Sequence, residues 1–160
     1  MNRKYNTAEF LACVERLRRY FPGCALTADM ITGFPGETEA DQAAAVAFLE
    51  QVGFAAVHVF PYSRRPGTKA DAIPQQLSHA VKSARAHEAQ RVADACKQRY
   101  LVQQVGQTLP VLFETEHDGS WVGHSDNYCL VRAAGDDLRG LVKNVKISAV
   151  SGQMLVGDLV

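Results

Sequence analysis

Hydrophobic residues in the first part of the chain change their spacing several times, and each change predicts a new element. Between residues 7 and 21 they recur at helical spacing, and Thr7 is the expected N-cap of this helix. Apolar residues from Ala25 to Thr32 predict a strand, and those between Thr38 and Val52 predict a second helix. The run Ala55 to Phe60 is typical of a second, buried strand. Two strands joined through a helix predict a right-handed βαβ unit with parallel strands.

Four residues refine this βαβ unit. Thr38 and Asp41 have the spacing of a capping box, and Gly53 is a suitable stop for the second helix. His58 interrupts the second strand, where a histidine is more often a buried core residue than a ligand.

A long helix is predicted from Pro74 to about Gln104, because this stretch has almost no glycine or proline. Its apolar face comprises Leu77, Val81, Ala84, Ala89, Val92, Cys96 and Tyr100. Lys82 and Arg85 fall elsewhere on the helix, together with Arg91 and Arg99. We therefore expect this helix to be a structural cover and connector.

After Gly106 the chain becomes rich in β-branched residues and turn signals. The expected strands lie within Thr108 to Thr115, Ser120 to Ala133, Leu141 to Val150, and a final pair, Gln153 to Leu155 and Asp158 to Val160. Four or five short strands in roughly 55 residues predict a small antiparallel barrel of OB type. The chain is accordingly divided into an α/β part, residues 1–104, and an all-β part, residues 105–160.

Composition narrows the class of protein. The 160 residues include 17 Lys+Arg and 17 Asp+Glu, so the formal net charge is +0 and any anionic partner must be held by locally placed cations. No apolar run is long enough for a membrane span, and we expect a cytoplasmic protein with no membrane partner. The four cysteines, at positions 13, 24, 96 and 129, lack metal-binding spacing, so no metal site is predicted and reduced, mostly buried thiols are expected.

Candidate chemistry falls in two loops that each follow a predicted strand. The stretch Asp29 to Thr38 and the stretch Pro61 to Lys69 both carry glycine and proline, and the second adds an aromatic residue and three cations. Because the carboxyl ends of parallel strands meet at one edge of a sheet, these loops predict a shared ligand site. In the barrel, aromatics and cations that could hold single-stranded nucleic acid are Trp121, Tyr128, Arg132, Lys143 and Lys146, although core packing explains Trp121 equally well.

Three segments resemble the radical-SAM methylthiotransferases that modify tRNA: Met1 to Tyr5, Asp29 to Thr38, and His58 to Thr68. The form His-Val-Phe-Pro-Tyr-Ser resembles the branch acting on N6-threonylcarbamoyladenosine (t6A) next to the anticodon, rather than the isopentenyladenosine branch. The tail from about Tyr100 to Val160 resembles the TRAM domain with which such enzymes hold tRNA. The resemblance covers nearly the whole chain.

The resemblance implies an α/β fold, the end of a radical-SAM TIM-like barrel, followed by an OB-like TRAM barrel. It implies S-adenosylmethionine and two [4Fe–4S] clusters in the full-length family, whose cluster cysteines this chain lacks, so no catalytic residue is expected here. The residues implied to contact the adenosine of S-adenosylmethionine are Ile31, Gly33, Phe60, Pro61 and Tyr62. Those expected to face the tRNA anticodon stem-loop are Arg64, Arg65 and Lys69, with Tyr128, Arg132, Lys143 and Lys146 from the barrel.

On this interpretation the chain is the C-terminal portion of a longer enzyme, and its partners are tRNA and the N-terminal domains of that enzyme. The portion alone is expected to be inactive, and residues 1–73 are expected to be loose by themselves because two parallel strands leave unpaired edges. Two alternatives stay open. One is a stand-alone RNA-binding module of the TRAM or OB type, and the other is an α/β protein that binds a ligand other than nucleic acid.

Overall fold

A computed structural model describes residues 3–160 and divides the chain into two compact units, Met1–Cys96 and Lys97–Val160. Met1 and Asn2, the start of one family-like segment, lie outside the described residues. The elements are α1 (Thr7–Tyr20), β1 (Thr27–Thr32), α2 (Glu39–Val52), β2 (Ala56–Pro61), α3 (His79–Gln104), β3 (Thr108–His117), β4 (Ser120–Ser125), β5 (Leu130–Ala134), β6 (Val142–Ser151) and β7 (Met154–Leu159). The mixed α/β class is confirmed. The last turns of α3 group with the barrel, so the division falls within this helix.

The first unit is built on two parallel strands covered on one face. β1 and β2 pair in register from Thr27 opposite Ala56 to Thr32 opposite Pro61, which confirms the βαβ unit. Their covered face packs against a core that includes Val14 of α1, Leu49 of α2 and Ala89 of α3.

The opposite face of this sheet is exposed. Asp29 and Ile31 of β1 lie there, paired with His58 and Phe60 of β2. The prediction that His58 is a core residue is therefore wrong, and β2 is buried on one face only. A parallel sheet is ordinarily covered on both faces, which makes this open face unusual.

Local capping explains where the first two helices begin. The N-cap of α1 is Asn6 rather than Thr7, because the Asn6 side chain accepts from the Glu9 backbone N–H at 2.9 Å. The capping box of Thr38 and Asp41 is confirmed, and the hydrogen bond from the Thr38 hydroxyl lowers the pKa of the Asp41 carboxyl. Gly53 ends α2 in the left-handed conformation, as predicted.

α3 begins at His79, later than the predicted Pro74. Arg85 lies on its buried side with Ala89 and Ala93, which corrects the prediction that this arginine lies off the packed face. No helix among residues 3–160 is long and apolar enough to cross a membrane.

The second unit contains a closed five-stranded barrel in the order β3-β4-β5-β7-β6. Four of its five strand pairs are antiparallel, but β5 and β7 run parallel, which corrects the all-antiparallel prediction. The predicted final pair of strands is the single strand β7, and the segment Ser120 to Ala133 is two strands separated by a turn. Trp121 is buried, so core packing is its role in this structure.

Candidate functional site

A cavity of about 540 Å³ lies at the carboxyl ends of β1 and β2. Four of the five residues predicted to contact a cofactor line it: Ile31, Phe60, Pro61 and Tyr62. The parallel register explains this, since Ile31 lies opposite Phe60 at the carboxyl ends of both strands. The volume lies within the range of small-molecule sites.

Tyr62 is held in this cavity by contacts from three directions. Its backbone N–H donates to the Thr32 carbonyl at 2.8 Å, and its ring meets the Phe34 ring edge-on at a centroid distance of 5.3 Å. Lys82 of α3 donates from Nζ to the Tyr62 carbonyl at 3.1 Å and lies 5.7 Å from the ring centroid. The Tyr62 hydroxyl is buried without a hydrogen-bond partner.

The loop after β1 is organised by Glu37. Its carboxylate accepts from the backbone N–H of Gly33 at 2.9 Å and of Phe34 at 3.4 Å. Arg85 donates to the same carboxylate at 2.7 Å and to the Glu37 carbonyl at 3.0 Å. Two loop N–H groups and a buried guanidinium therefore converge on one carboxylate, which fixes the loop against α3.

Gly33, the fifth residue predicted to contact a cofactor, is buried. It has φ +69°, and a Cβ added there would lie 2.4 Å from Lys82 Cγ. The glycine therefore allows the loop to approach α3 closely. This packing differs from the predicted contact with a ligand.

The three loop cations predicted to face RNA have different surroundings. Arg65 lines the cavity, whereas the Arg64 guanidinium pairs with the Asp71 carboxylate at 2.7 Å. Lys69 is exposed on the same loop. One of these cations is thus placed toward the cavity and one is neutralised by a neighbour.

The four barrel residues predicted to bind RNA lie on three different segments of the second unit. Tyr128 is exposed beside a cavity of about 610 Å³ on the outer surface. Arg132 is on β5, while Lys143 and Lys146 are on β6, and these two strands are not neighbours in the barrel. Lys146 Nζ also donates to the Gly106 carbonyl at 2.5 Å. β7 lies between the strand of Arg132 and the strand of the two lysines.

The barrel cavity lies over the outer face of β3. Leu112 of β3 is paired with Val142 of β6 on one side and His124 of β4 on the other, and all three line the cavity. Glu114 extends the same face, and its Oε2 lies within hydrogen-bond distance of His124 Nδ1, at 2.6 Å. Strand faces of OB-type barrels are common sites for single-stranded nucleic acid.

Sequence reasoning missed Lys82 and Arg85, which hold the two loops, and Glu114 and His124, which line the barrel cavity. The spacing of Arg85 from Ala89 and Ala93 could have placed it on the buried side, since residues four apart share a helix face. No comparable signal marks Lys82.

The four cysteines lie in different parts of the fold. Cys13 is exposed, Cys24 is intermediate, and Cys96 and Cys129 are buried. Within residues 3–160, no three His, Cys, Asp or Glu side chains are grouped so that they could hold a metal ion.

Comparison with known proteins adds a consistent set of relatives. A search of family models found no match. The chain is 39% identical over 162 residues to the tRNA-2-methylthio-N(6)-dimethylallyladenosine synthase of Maricaulis maris, covering 99% of this chain and 36% of that protein. It is 36% identical over 153 residues to the threonylcarbamoyladenosine tRNA methylthiotransferase MtaB of Bacillus subtilis, covering 92% of this chain and 34% of the relative.

A second synthase with the dimethylallyladenosine name, from Nitratidesulfovibrio vulgaris, is 36% identical over 167 residues, covering 99% of this chain and 37% of that protein. The chain thus spans about a third of the length of each of these relatives. Along nearly its whole length, this protein is similar to a part of proteins named as tRNA methylthiotransferases, of both nucleoside types.

Proposed function

We propose that this chain is the C-terminal portion of a tRNA methylthiotransferase that adds a methylthio group to C2 of N6-threonylcarbamoyladenosine (t6A) next to the anticodon. The observation that carries the proposal is the cavity at the strand ends, which gathers Ile31, Phe60, Pro61 and Tyr62. The names of the relatives support a methylthiotransferase reaction on tRNA.

The cavity suits the adenosine part of S-adenosylmethionine. Ile31 and Phe60 offer exposed apolar surface for a flat base, and Tyr62 lines the same cavity. When bound beside an iron–sulfur cluster, S-adenosylmethionine would supply a radical that removes a hydrogen from the substrate. This chain's residues would bind and orient its adenosine, with Lys82 and Arg85 holding the two loops in place.

The cysteines of this chain do not fit the two [4Fe–4S] clusters. One is exposed on α1, one lies before β1, one is buried in α3 and one follows Tyr128 in the barrel, and a cluster needs several thiolates at one point. The cluster ligands would therefore come from N-terminal domains of the longer enzyme.

The open face of β1 and β2 supports the same proposal. Parallel strands are rarely left bare, and this face presents Ile31 and Phe60, with exposures of 37% and 51%. In a longer enzyme this face would line the interior of a barrel completed by other strands. The all-β unit would be the TRAM domain, and the cations of the loop after β2 would meet the anticodon stem-loop.

A stand-alone RNA-binding module is the second candidate, and the closed barrel favours it. A barrel without free edges can fold without help from other strands. This candidate needs no ligand in the cavity of the first unit.

Two binding measurements on the full chain test the proposal. In fluorescence anisotropy, anticodon stem-loop RNA carrying t6A should bind more tightly than the unmodified RNA and the RNA carrying N6-dimethylallyladenosine. In calorimetry, S-adenosylhomocysteine should bind weakly, and Tyr62→Ala should abolish this binding while Tyr20→Ala, which removes an exposed ring on α1, should leave it unchanged.

The outcomes separate the candidates. RNA binding without any binding of S-adenosylhomocysteine would favour the stand-alone module. A preference for the dimethylallyl RNA would correct the nucleoside, and an absence of binding to every RNA would overturn both candidates.

A further inference from the structure

Tyr128, in the turn between β4 and β5, combines a strained backbone with an exposed side chain. Tyr128 has φ +59° and a ring that is 86% exposed, so a bulky residue adopts an unfavourable backbone conformation without burying its side chain. Strained residues of this kind are concentrated at functional sites.

Hydrogen bonds hold the turn that carries Tyr128 in place. Ser125 Oγ donates to Asn127 Oδ1 at 2.6 Å, and Asn127 Nδ2 donates to Tyr100 Oη and to Gln104 Oε1, both at 3.1 Å. The Tyr128 backbone N–H donates to the Ser125 carbonyl at 2.9 Å. These bonds fix the backbone and hold the turn that carries the ring at the rim of the 610 Å³ cavity.

The cavity combines an apolar floor with an acidic edge. Pro110, Leu112 and Val142 supply the apolar surface, and Glu114 and Asp126 supply two carboxylates. Two carboxylates disfavour a phosphate in the cavity but accept hydrogen bonds from N–H groups. A flat, uncharged ligand with N–H donors on its edge suits this lining.

We propose that this cavity holds one unstacked base of single-stranded RNA, with the face of the base on Tyr128 and its Watson–Crick edge on Glu114. Guanine fits best, because its Watson–Crick edge offers two adjacent N–H donors to the Glu114 carboxylate, whose Oε2 also lies 2.6 Å from His124 Nδ1. Such recognition by stacking and edge hydrogen bonds is how proteins read single-stranded RNA. The proposal rests on the proposed function, which assigns RNA binding to this unit.

The test is anisotropy with labelled single-stranded RNAs that differ only in one central guanosine or uridine. Tyr128→Ala in the full chain should weaken binding of both RNAs about tenfold, and Tyr128→Phe should retain most of the affinity because the ring remains. Glu114→Gln should remove the preference for guanosine while leaving binding of the uridine RNA unchanged. Tyr20→Ala is the matched control, since it removes another exposed tyrosine.

The outcomes distinguish this site from the general proposal. If the chain binds RNA but Tyr128→Ala matches the wild type, the base site is wrong and the proposed function stands. If Tyr128→Ala instead only abolishes self-association in sedimentation, the face is a contact between copies and the base site is again wrong. If no RNA binds to the wild type, both proposals fail.

Discussion

The two units differ in how they treat the edges and faces of their β-sheets. In the barrel, five strands close on themselves, and side chains such as Phe113 and Val131 are fully buried inside. In the first unit, two parallel strands keep both outer edges and one whole face open, and Phe60 is half exposed there. The barrel therefore encloses its core, whereas the two-stranded sheet buries one face against the helices and leaves the other face exposed.

The largest difference in stability is expected between substitutions of a buried and an exposed phenylalanine, Phe113 and Phe60. Phe113→Ala should destabilise the barrel by about 3–5 kcal/mol, because it leaves a cavity in a closed core. Phe60→Ala should change the stability of the first unit by less than about 0.5 kcal/mol. Urea unfolding followed by Trp121 fluorescence reports the barrel, and far-ultraviolet circular dichroism reports the helices of the first unit. Equal losses for the two variants would contradict the comparison.

The second prediction concerns ion pairs within the first unit. Arg85→Ala should cost about 3 kcal/mol, because it strands the Glu37 carboxylate in a largely buried position. Arg64→Ala, which removes an arginine exposed by 58%, should cost less than about 1 kcal/mol. Denaturant unfolding of the two variants measures this difference. An effect of Arg85→Ala as small as that of Arg64→Ala would mean that the loop is not held by α3.

The features that could be predicted from the sequence depend on residues close to one another along the chain. The capping box of Thr38 and Asp41 is readable because its partners lie within one helical turn. The cavity at the strand ends is predictable in part, because parallel pairing places Ile31 opposite Phe60 once both strands are recognised.

The missed features depend on distant partners. Arg85 is buried because of Glu37, which is 48 residues away in the chain. The exposure of His58 depends on which face of the sheet the helices cover, and an apolar run of residues does not record this. The parallel pairing of β5 with β7 depends likewise on closure of the whole barrel.

Hydrogen exchange provides the third prediction. Amides of β3 to β7 should exchange at least about a hundredfold more slowly than those of β1 and β2, because the open sheet can separate locally without unfolding a core. Mass spectrometry of exchanged peptides from the full chain measures this ratio. Similar protection in both units would show that the open sheet is as stable as the barrel and would contradict the expected looseness of residues 1–73.

The smallest expected effect is on thiol reactivity. Burial raises the pKa of the Cys129 thiol, so less of the reactive thiolate is present near neutral pH, and the barrel also shields the sulfur. Cys13, which is exposed on α1, should react with iodoacetamide first. Peptide mapping after brief labelling gives the order, and early labelling of Cys129 would show that the barrel opens readily.

We propose that the first unit supplies one wall of an adenosine site and that the second unit binds RNA. Nuclear magnetic resonance of the labelled full chain tests it directly, with S-adenosylhomocysteine and anticodon stem-loop RNA added separately. We expect the nucleoside to shift signals of Ile31, Phe60 and Tyr62, and the RNA to shift signals around Tyr128 and Leu112. Shifts by the nucleoside confined to the barrel, or RNA shifts absent from it, would contradict the account.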